Sequence, residues 1–154
     1  MLIALQRDRQ TRLGVVYFPI TGEVFYAQFG RGAWHDGKRL ICAEHQSLDC
    51  SWVEMNHYGN HRWETEFYQD LWERLRSDHG AQVVTSNLPY SGVAVRIAQG
   101  AGAPAIAIHD NNPDHPKQGP WDIAAPQIVL EEAGGVFLNP KGQRTNLWQP
   151  EPII

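Results

Sequence analysis

The chain has 154 residues, 42% of them hydrophobic and 19% charged, which fits one globular domain able to bury roughly two-thirds of its unfolded surface. A formal net charge of −4 without a basic cluster argues against phosphate-neutralising contact with nucleic acid. No apolar run reaches the roughly 20 residues a bilayer span needs, and Met1–Leu5 is too short for a signal core, so a cytoplasmic protein without membrane contact is expected.

Leu2–Leu5 reads as the tail of a strand or helix before the charged bend Arg7–Gln10. Leu13–Phe18 is β-rich, Pro19–Gly22 is turn chemistry, and Glu23–Phe29 returns as a second strand, giving a hairpin. Asp36-Gly37 favours a primed two-residue turn, which extends the hairpin into a small antiparallel meander over the first forty residues. His35 is placed on that turn. Cys42 and Cys50 have neither a disulfide framework nor metal-pair spacing and read as reduced structural thiols.

From Ser51 onward, strands alternate with helices. Ser51–Met55, Gln82–Thr85 and Ala105–Ile108 are short strands, and Phe67, Tyr68, Leu71, Trp72 and Leu75 recur at helical spacing between Glu64 and Ser77. Ser91 is expected to cap a helix reaching Gln99, with Val93, Ala94, Ile97 and Ala98 inward. This alternation implies crossover units and a largely parallel sheet. The fold class is therefore α/β, an antiparallel hairpin or meander followed by a mixed, largely parallel sheet with helices, in one domain over 1–154.

The stretch from Trp121 to Gly135 carries both helix punctuation marks. Asp122 is expected at the N-cap and Gly134-Gly135 at the stop. Ile123, Ala124, Ile128, Val129 and Ala133 form its apolar face, with Gln127 and Glu131 on the wet side. Val136–Leu138 then reads as a short buried strand, and Glu131-Glu132 as a solvated pair. His57 and His61 have the spacing of a metal pair, but Gly59 between them favours a loop. His109, Asp110, Asp114 and His115 form a polar cluster that reads as a solvated loop. Ser91 lacks the His-Asp pattern of an activated nucleophile.

Trp121-Asp122-Ile123-Ala124-Ala125 followed by Glu132-Ala133-Gly134-Gly135-Val136 resembles the second signature of the inositol monophosphatase family. Gly14–Tyr17, Thr21–Glu23, Phe25–Ala27, Gly30–Ala33 and Asp36–Arg39 are similar to that family's central hairpin, in the expected order. The likeness is strong over 13–40 and 119–143 and weak between them. It implies a sugar-phosphatase-like fold, magnesium-dependent phosphomonoester hydrolysis, Asp122 as a metal ligand, and substrate facing Ser91, Gly92 and Val93. Pro126 stands where the family commonly has Gly, and Ser91-Gly92-Val93-Ala94 does not keep the family's order. The family's Asp-Pro-hydrophobic-Asp-Gly-Thr segment, and the Gly-Glu-Glu segment that precedes it, do not occur, so the chain is expected to correspond to a C-terminal half. One carboxylate holds magnesium weakly, because the ion prefers several oxygen ligands. The expectation is thus a half-fold that is silent alone and self-associates as a dimer. The alternative is a phosphomonoesterase for inositol, sugar or phosphoadenosine-type phosphates, with magnesium bound only once an N-terminal half completes the site.

Overall fold

In the computed structural model, described over residues 1–44, 49, 52–56, 66–86, 88–100, 105–109, 119–138, 142–144 and 147, period-two patterning organises the first forty residues into an antiparallel sheet. Its strands are β1 (Leu2–Arg7), β2 (Gln10–Tyr17), β3 (Val24–Gln28), β4 (Gly32–His35) and β5 (Lys38–Leu40), side by side in that order. Asp36 and Gly37 have φ of 46° and 80°, the primed turn expected between β4 and β5. His35 belongs to β4 just before this turn, its ring stacked on Phe25 with centroids 4.1 Å apart.

Residues directly opposite one another across these ladders share a face. Val16, Phe25, Ala27, Ala33 and Leu40 point to one side and are at most 7% exposed. That side is covered by the helix α3 (Pro120–Glu132). Gly14 of β2 is where strand and helix come closest. A Cβ there would sit 2.4 Å from Ile128 Cγ2 and 2.8 Å from the Ala125 carbonyl oxygen, so only glycine admits this approach.

The helix is buried without interruption from Ile123 to Leu130. A helix apolar nearly all round must be covered nearly all round, and α2 (Tyr90–Ala98) supplies the second cover through Val93, Ala94, Val95 and Ala98. Ile123, Ile128 and Val129 are each at most 3% exposed, and burying side chains of this size stabilises by about 1.5–3 kcal/mol apiece. Gln127 is consequently not on a wet side: it is 9% exposed, and its Nε2 donates to Glu131 Oε1 at 3.0 Å. The spacing of Gln127 and Glu131 describes their pairing correctly, but the two-sided cover leaves Gln127 no solvent.

The stop at Gly134-Gly135 is as expected. Gly134 has φ +97°, its N–H donates to the Glu131 carbonyl, and the Gly135 N–H donates to the Leu130 carbonyl at 2.9 Å, the double closure of a Schellman motif. The start is not. Gly119 holds the N-cap, Pro120 opens the first turn, and Asp122 lies three residues inside. Ser91 likewise is inside α2, whose N-cap is Pro89 with no side-chain cap bond, because proline before Tyr90 already sets an extended entry. Among the described residues, 136–138 form no buried strand: Val136 and Leu138 are 61% and 41% exposed, and Leu138 makes an isolated bridge to Arg144. Phe137 alone turns inward.

The second sheet is parallel, as the alternation implies. β6 (Trp52–Asn56) lies between β7 (Gln82–Ser86) and β8 (Ala105–His109). α1 (Glu66–Ser77) packs beside β7, with Leu71 and Trp72 half-buried and Leu75 buried. Both sheets fall within the single α/β class expected.

Candidate functional site

Three facts of chain geometry bring α2 and α3 to a common end. The Cys42 N–H donates to the Ala133 carbonyl at 2.8 Å, at the C-terminus of α3. The Gly100 backbone at the C-terminus of α2 lies so close to the Ile41 carbonyl oxygen that a Cβ would be 2.5 Å from it. Since both C-termini abut residues 41–43 and the helices pack on one another, they run in the same sense. Their N-termini therefore share the opposite end.

That end also receives the parallel sheet. Only residues 87–89 separate β7 from α2, so the helix begins at the C-terminal edge of the strand. Asn56 pairs in register with Ser86 on one side and His109 on the other, which aligns the three strand C-termini. In open α/β sheets, ligands bind outside the carboxyl ends of the strands, and helix N-termini there present N–H groups and positive dipole ends to anions.

Asp122 stands in the first turn of α3 at this end, half-buried. Its Oδ2 accepts a 3.2 Å hydrogen bond from the Gly119 N–H, and Oδ1 has no hydrogen bond among the described residues. The exposed Trp121 indole lies against Gly119, where a Cβ would meet the ring at 2.3 Å. Asp122 thus offers a hard oxygen donor of the type magnesium takes. Among the described residues no three His, Cys, Asp or Glu side chains gather as a metal group. Ser91 is 9% exposed and Val93 1% exposed. The Gly92 and Val93 N–H groups both close on the Pro89 carbonyl, at 2.7 and 3.2 Å. The first turn of α2 is therefore a tightly built wall. His57, His61, Asp110, Asp114, His115 and Cys50 lie outside the described residues. Cys42 is a free thiol whose pKa burial pushes up, opposed by a hydrogen bond with the Gly135 backbone.

Glu132 proves to be more than half of a solvated pair. Its two carboxylate oxygens accept from the Gly30 and Gly32 N–H groups, both at 2.7 Å. With φ of +70° and +98°, these glycines turn two alternate amides towards one point, while the Arg31 N–H between them donates to the Gln28 carbonyl. Two glycines of positive φ in the hairpin turn are the local sequence signal for this approach; their distance of a hundred residues from Glu132 hides the pairing.

These two sheets, the buried α3 and the shared helix N-termini define a sugar-phosphatase type of fold. The inositol monophosphatase family model matches residues 1–154, and the chain belongs to that family. It is 28% identical over 152 residues to a fructose-1,6-bisphosphatase/inositol-1-monophosphatase of Thermotoga maritima, covering 99% of this chain and 53% of the relative. Similarity to the 3'(2'),5'-bisphosphate nucleotidase CysQ of Aggregatibacter actinomycetemcomitans is 28% over 147 residues, covering 90% and 48%. Among solved structures, a Thermotoga maritima IMPase superposes over 96% of this chain and 52% of its own with a TM-score of 0.72 at 24% identity. Inositol monophosphatase-II from Staphylococcus aureus does so over 96% and 52%, with a TM-score of 0.71 at 19% identity. The chain spans about half the length of the curated relatives it matches.

Proposed function

We propose that this chain supplies the helix-borne portion of a magnesium-dependent phosphomonoesterase and is catalytically silent by itself. The observation carrying this reading is the meeting of the α2 and α3 N-termini, with Asp122 among them, beside the aligned C-termini of the parallel strands. Asp122 would hold magnesium through a carboxylate oxygen, and Ser91, Gly92 and Val93 would border the substrate. Magnesium at such a site polarises the phosphoryl oxygens and lowers the pKa of an attacking water. The ion needs several oxygen ligands, so an active site would need further carboxylates from an N-terminal half, carried on the same polypeptide or on another. The substrate class is an inositol, sugar or phosphoadenosine-type phosphomonoester, the chemistry shared by the named relatives. We place the protein in the cytoplasm, in keeping with the free thiol of Cys42.

The test is phosphate release in magnesium from inositol 1-phosphate, fructose 1,6-bisphosphate and adenosine 3',5'-bisphosphate. It compares the purified chain with the same chain mixed with the N-terminal half of the Thermotoga maritima relative. Silence alone, and release in the mixture that Asp122→Asn abolishes, is the expected result. Magnesium-dependent turnover by the chain alone would overturn its silence; release in the mixture that survives Asp122→Asn would overturn the role of Asp122.

A further inference from the structure

The antiparallel sheet is basic at one end. Residues 1–41 hold six arginines and lysines against three acids, while the remainder of the chain holds seven against fourteen. Two of those three acids, Glu23 and Asp36, belong to the β2–β3 and β4–β5 turns, where they face His35 at 3.5 and 3.2 Å. The opposite end, formed by the β1–β2 and β3–β4 turns, gathers Arg7, Arg9, Arg12 and Arg31. The acids at that end are committed elsewhere. Asp8 pairs with Arg7 at 3.5 Å, Glu131 accepts from Gln127, and Glu132 gives both oxygens to the Gly30 and Gly32 amides. Among the described residues, Arg9, Arg12 and Arg31 have no ion-pair partner.

Two features of the backbone place these side chains. Arg9 sits at φ +59° in a two-residue turn, a left-handed conformation that a Cβ disfavours. Strain of this kind points to function. Leu5 pairs with Leu13 and Gln6 with Thr11, so Arg12 is the extra residue of a β-bulge, which re-aims a side chain. Its guanidinium lies over the Phe29 ring, 5.2 Å from the centroid, and its Nε has no hydrogen-bond partner. Phe29 and Leu13, beside it, are 47% and 37% exposed.

We propose that this end of the sheet docks on an anionic phospholipid surface. Guanidinium forks match phosphate oxygens two at a time, and three without a protein carboxylate leave those donors open. Exposed Phe29 and Leu13 among them suit the boundary between headgroups and acyl chains. The arginines stand on two neighbouring turn tips, which meet a plane. A nucleic-acid strand asks instead for a groove lined by successive aromatic rings. The acidic remainder of the chain is repelled by the same surface, so contact has one orientation. Docking of this kind needs no apolar run long enough to span a bilayer. The end lies ten residues along α3 from Asp122, roughly 15 Å, so the proposal does not rest on the hydrolytic reading.

The test is co-sedimentation of the full chain with vesicles of phosphatidylcholine, alone or mixed with phosphatidylserine at about 7:3. Circular dichroism establishes that each variant folds. Binding is expected to the mixed vesicles at about 0.05 M salt, falling at least tenfold by about 0.5 M, and not to phosphatidylcholine alone. Arg9→Gly should weaken it roughly fivefold, the worth of one basic group at an anionic surface. Glycine suits the φ of that position, so the turn is kept. Arg31→Gln reads the same effect from the β3–β4 turn. Lys38→Gln makes the same change of net charge at the opposite end of the sheet and should leave binding intact. A chain that stays in solution with mixed vesicles at low salt would overturn the proposal. Equal losses in Lys38→Gln and Arg9→Gly, the mark of diffuse attraction, would overturn it too, as would preference for oligothymidylate over the vesicles.

Discussion

The two ends of α3 each carry a carboxylate, and the two are used in opposite ways. Glu132 spends both oxygens on the Gly30 and Gly32 amides at 2.7 Å, clasping the helix C-terminus to the β3–β4 turn. Among the described residues Asp122 makes one longer contact, 3.2 Å, with the Gly119 amide only three residues away. A carboxylate satisfied by several short, distant bonds is part of the frame. One held by a single local bond keeps an oxygen for other chemistry. The contrast assigns construction to the Glu132 end of the helix, and the chemistry proposed for Asp122 at the other end is what the variants below test.

The bluntest way to break this contrast is to move both ends together. Gly14→Ala drives a methyl group into Ile128 and the Ala125 carbonyl, and the carbonyl is backbone that cannot rotate away. The helix must shift off the sheet, at a cost of about 3 kcal/mol or more. Chemical denaturation should show that loss, and a Glu132→Gln change added to it should cost less than it does in the wild-type chain, because the clasp is already displaced.

Glu132→Ala isolates the structural end. Two charge-assisted bonds are lost and the Gly30 and Gly32 amides are left without their carboxylate, which predicts about 2 kcal/mol of destabilisation for a group partly open to solvent. Thermal unfolding measures it, and a loss below about 0.5 kcal/mol, the level of an ordinary surface substitution, would deny Glu132 its role. Glu132→Gln should fall between, since an amide offers a single acceptor oxygen for two donors.

How much of this was legible beforehand divides by range along the chain. The stop at Gly134-Gly135 and the turn at Asp36-Gly37 depend on φ > 0 at neighbouring residues, so the sequence displays them. The inward set Ile123, Ala124, Ile128 and Val129 follows from helical period. The burial of Gln127 does not, because it depends on α2 covering a side of α3 that the pattern leaves open. Glu132 was hidden for the same reason, its partners lying a hundred residues back. Asp122 was displaced by three positions because Gly119-Pro120 is itself a competent helix start. Val136–Leu138 is apolar enough for a strand but has too little to pair with among the described residues. At the candidate site, Asp122 and the Ser91–Val93 turn stood out through motif resemblance, and only the topology shows that their helices run together.

A smaller effect reads the construction end through pH. Cys42 lies against the C-termini of both helices, and burial raises its thiol pKa above the ordinary 9.0. The unfolded chain therefore gives up this proton before the folded one does. The contribution is fully present below the unfolded value and is lost as pH rises through the folded value. Urea midpoints should fall between pH 8 and pH 10, and Cys42→Ala should flatten that decline relative to wild type. An identical slope in the variant would remove Cys42 as the cause.

Asp122→Asn should disturb the fold least. The asparagine oxygen can still accept from the Gly119 N–H, so the local bond survives. What is lost is the favourable meeting of a negative charge with the helix N-terminus, about 0.5 kcal/mol for a half-buried group. Trp121, the adjacent residue, gives the same experiment a second reading, because an indole sensitises the luminescence of a terbium ion, a hard oxygen-seeking cation, bound close by. Terbium emission excited through tryptophan should be weak in the wild-type chain, as expected for one carboxylate, and lower still in Asp122→Asn. A stability loss matching that of Glu132→Ala would make both ends of the helix structural and dissolve the contrast. Near-neutral stability together with lost emission would leave Asp122 as the residue at which the helix meets a cation.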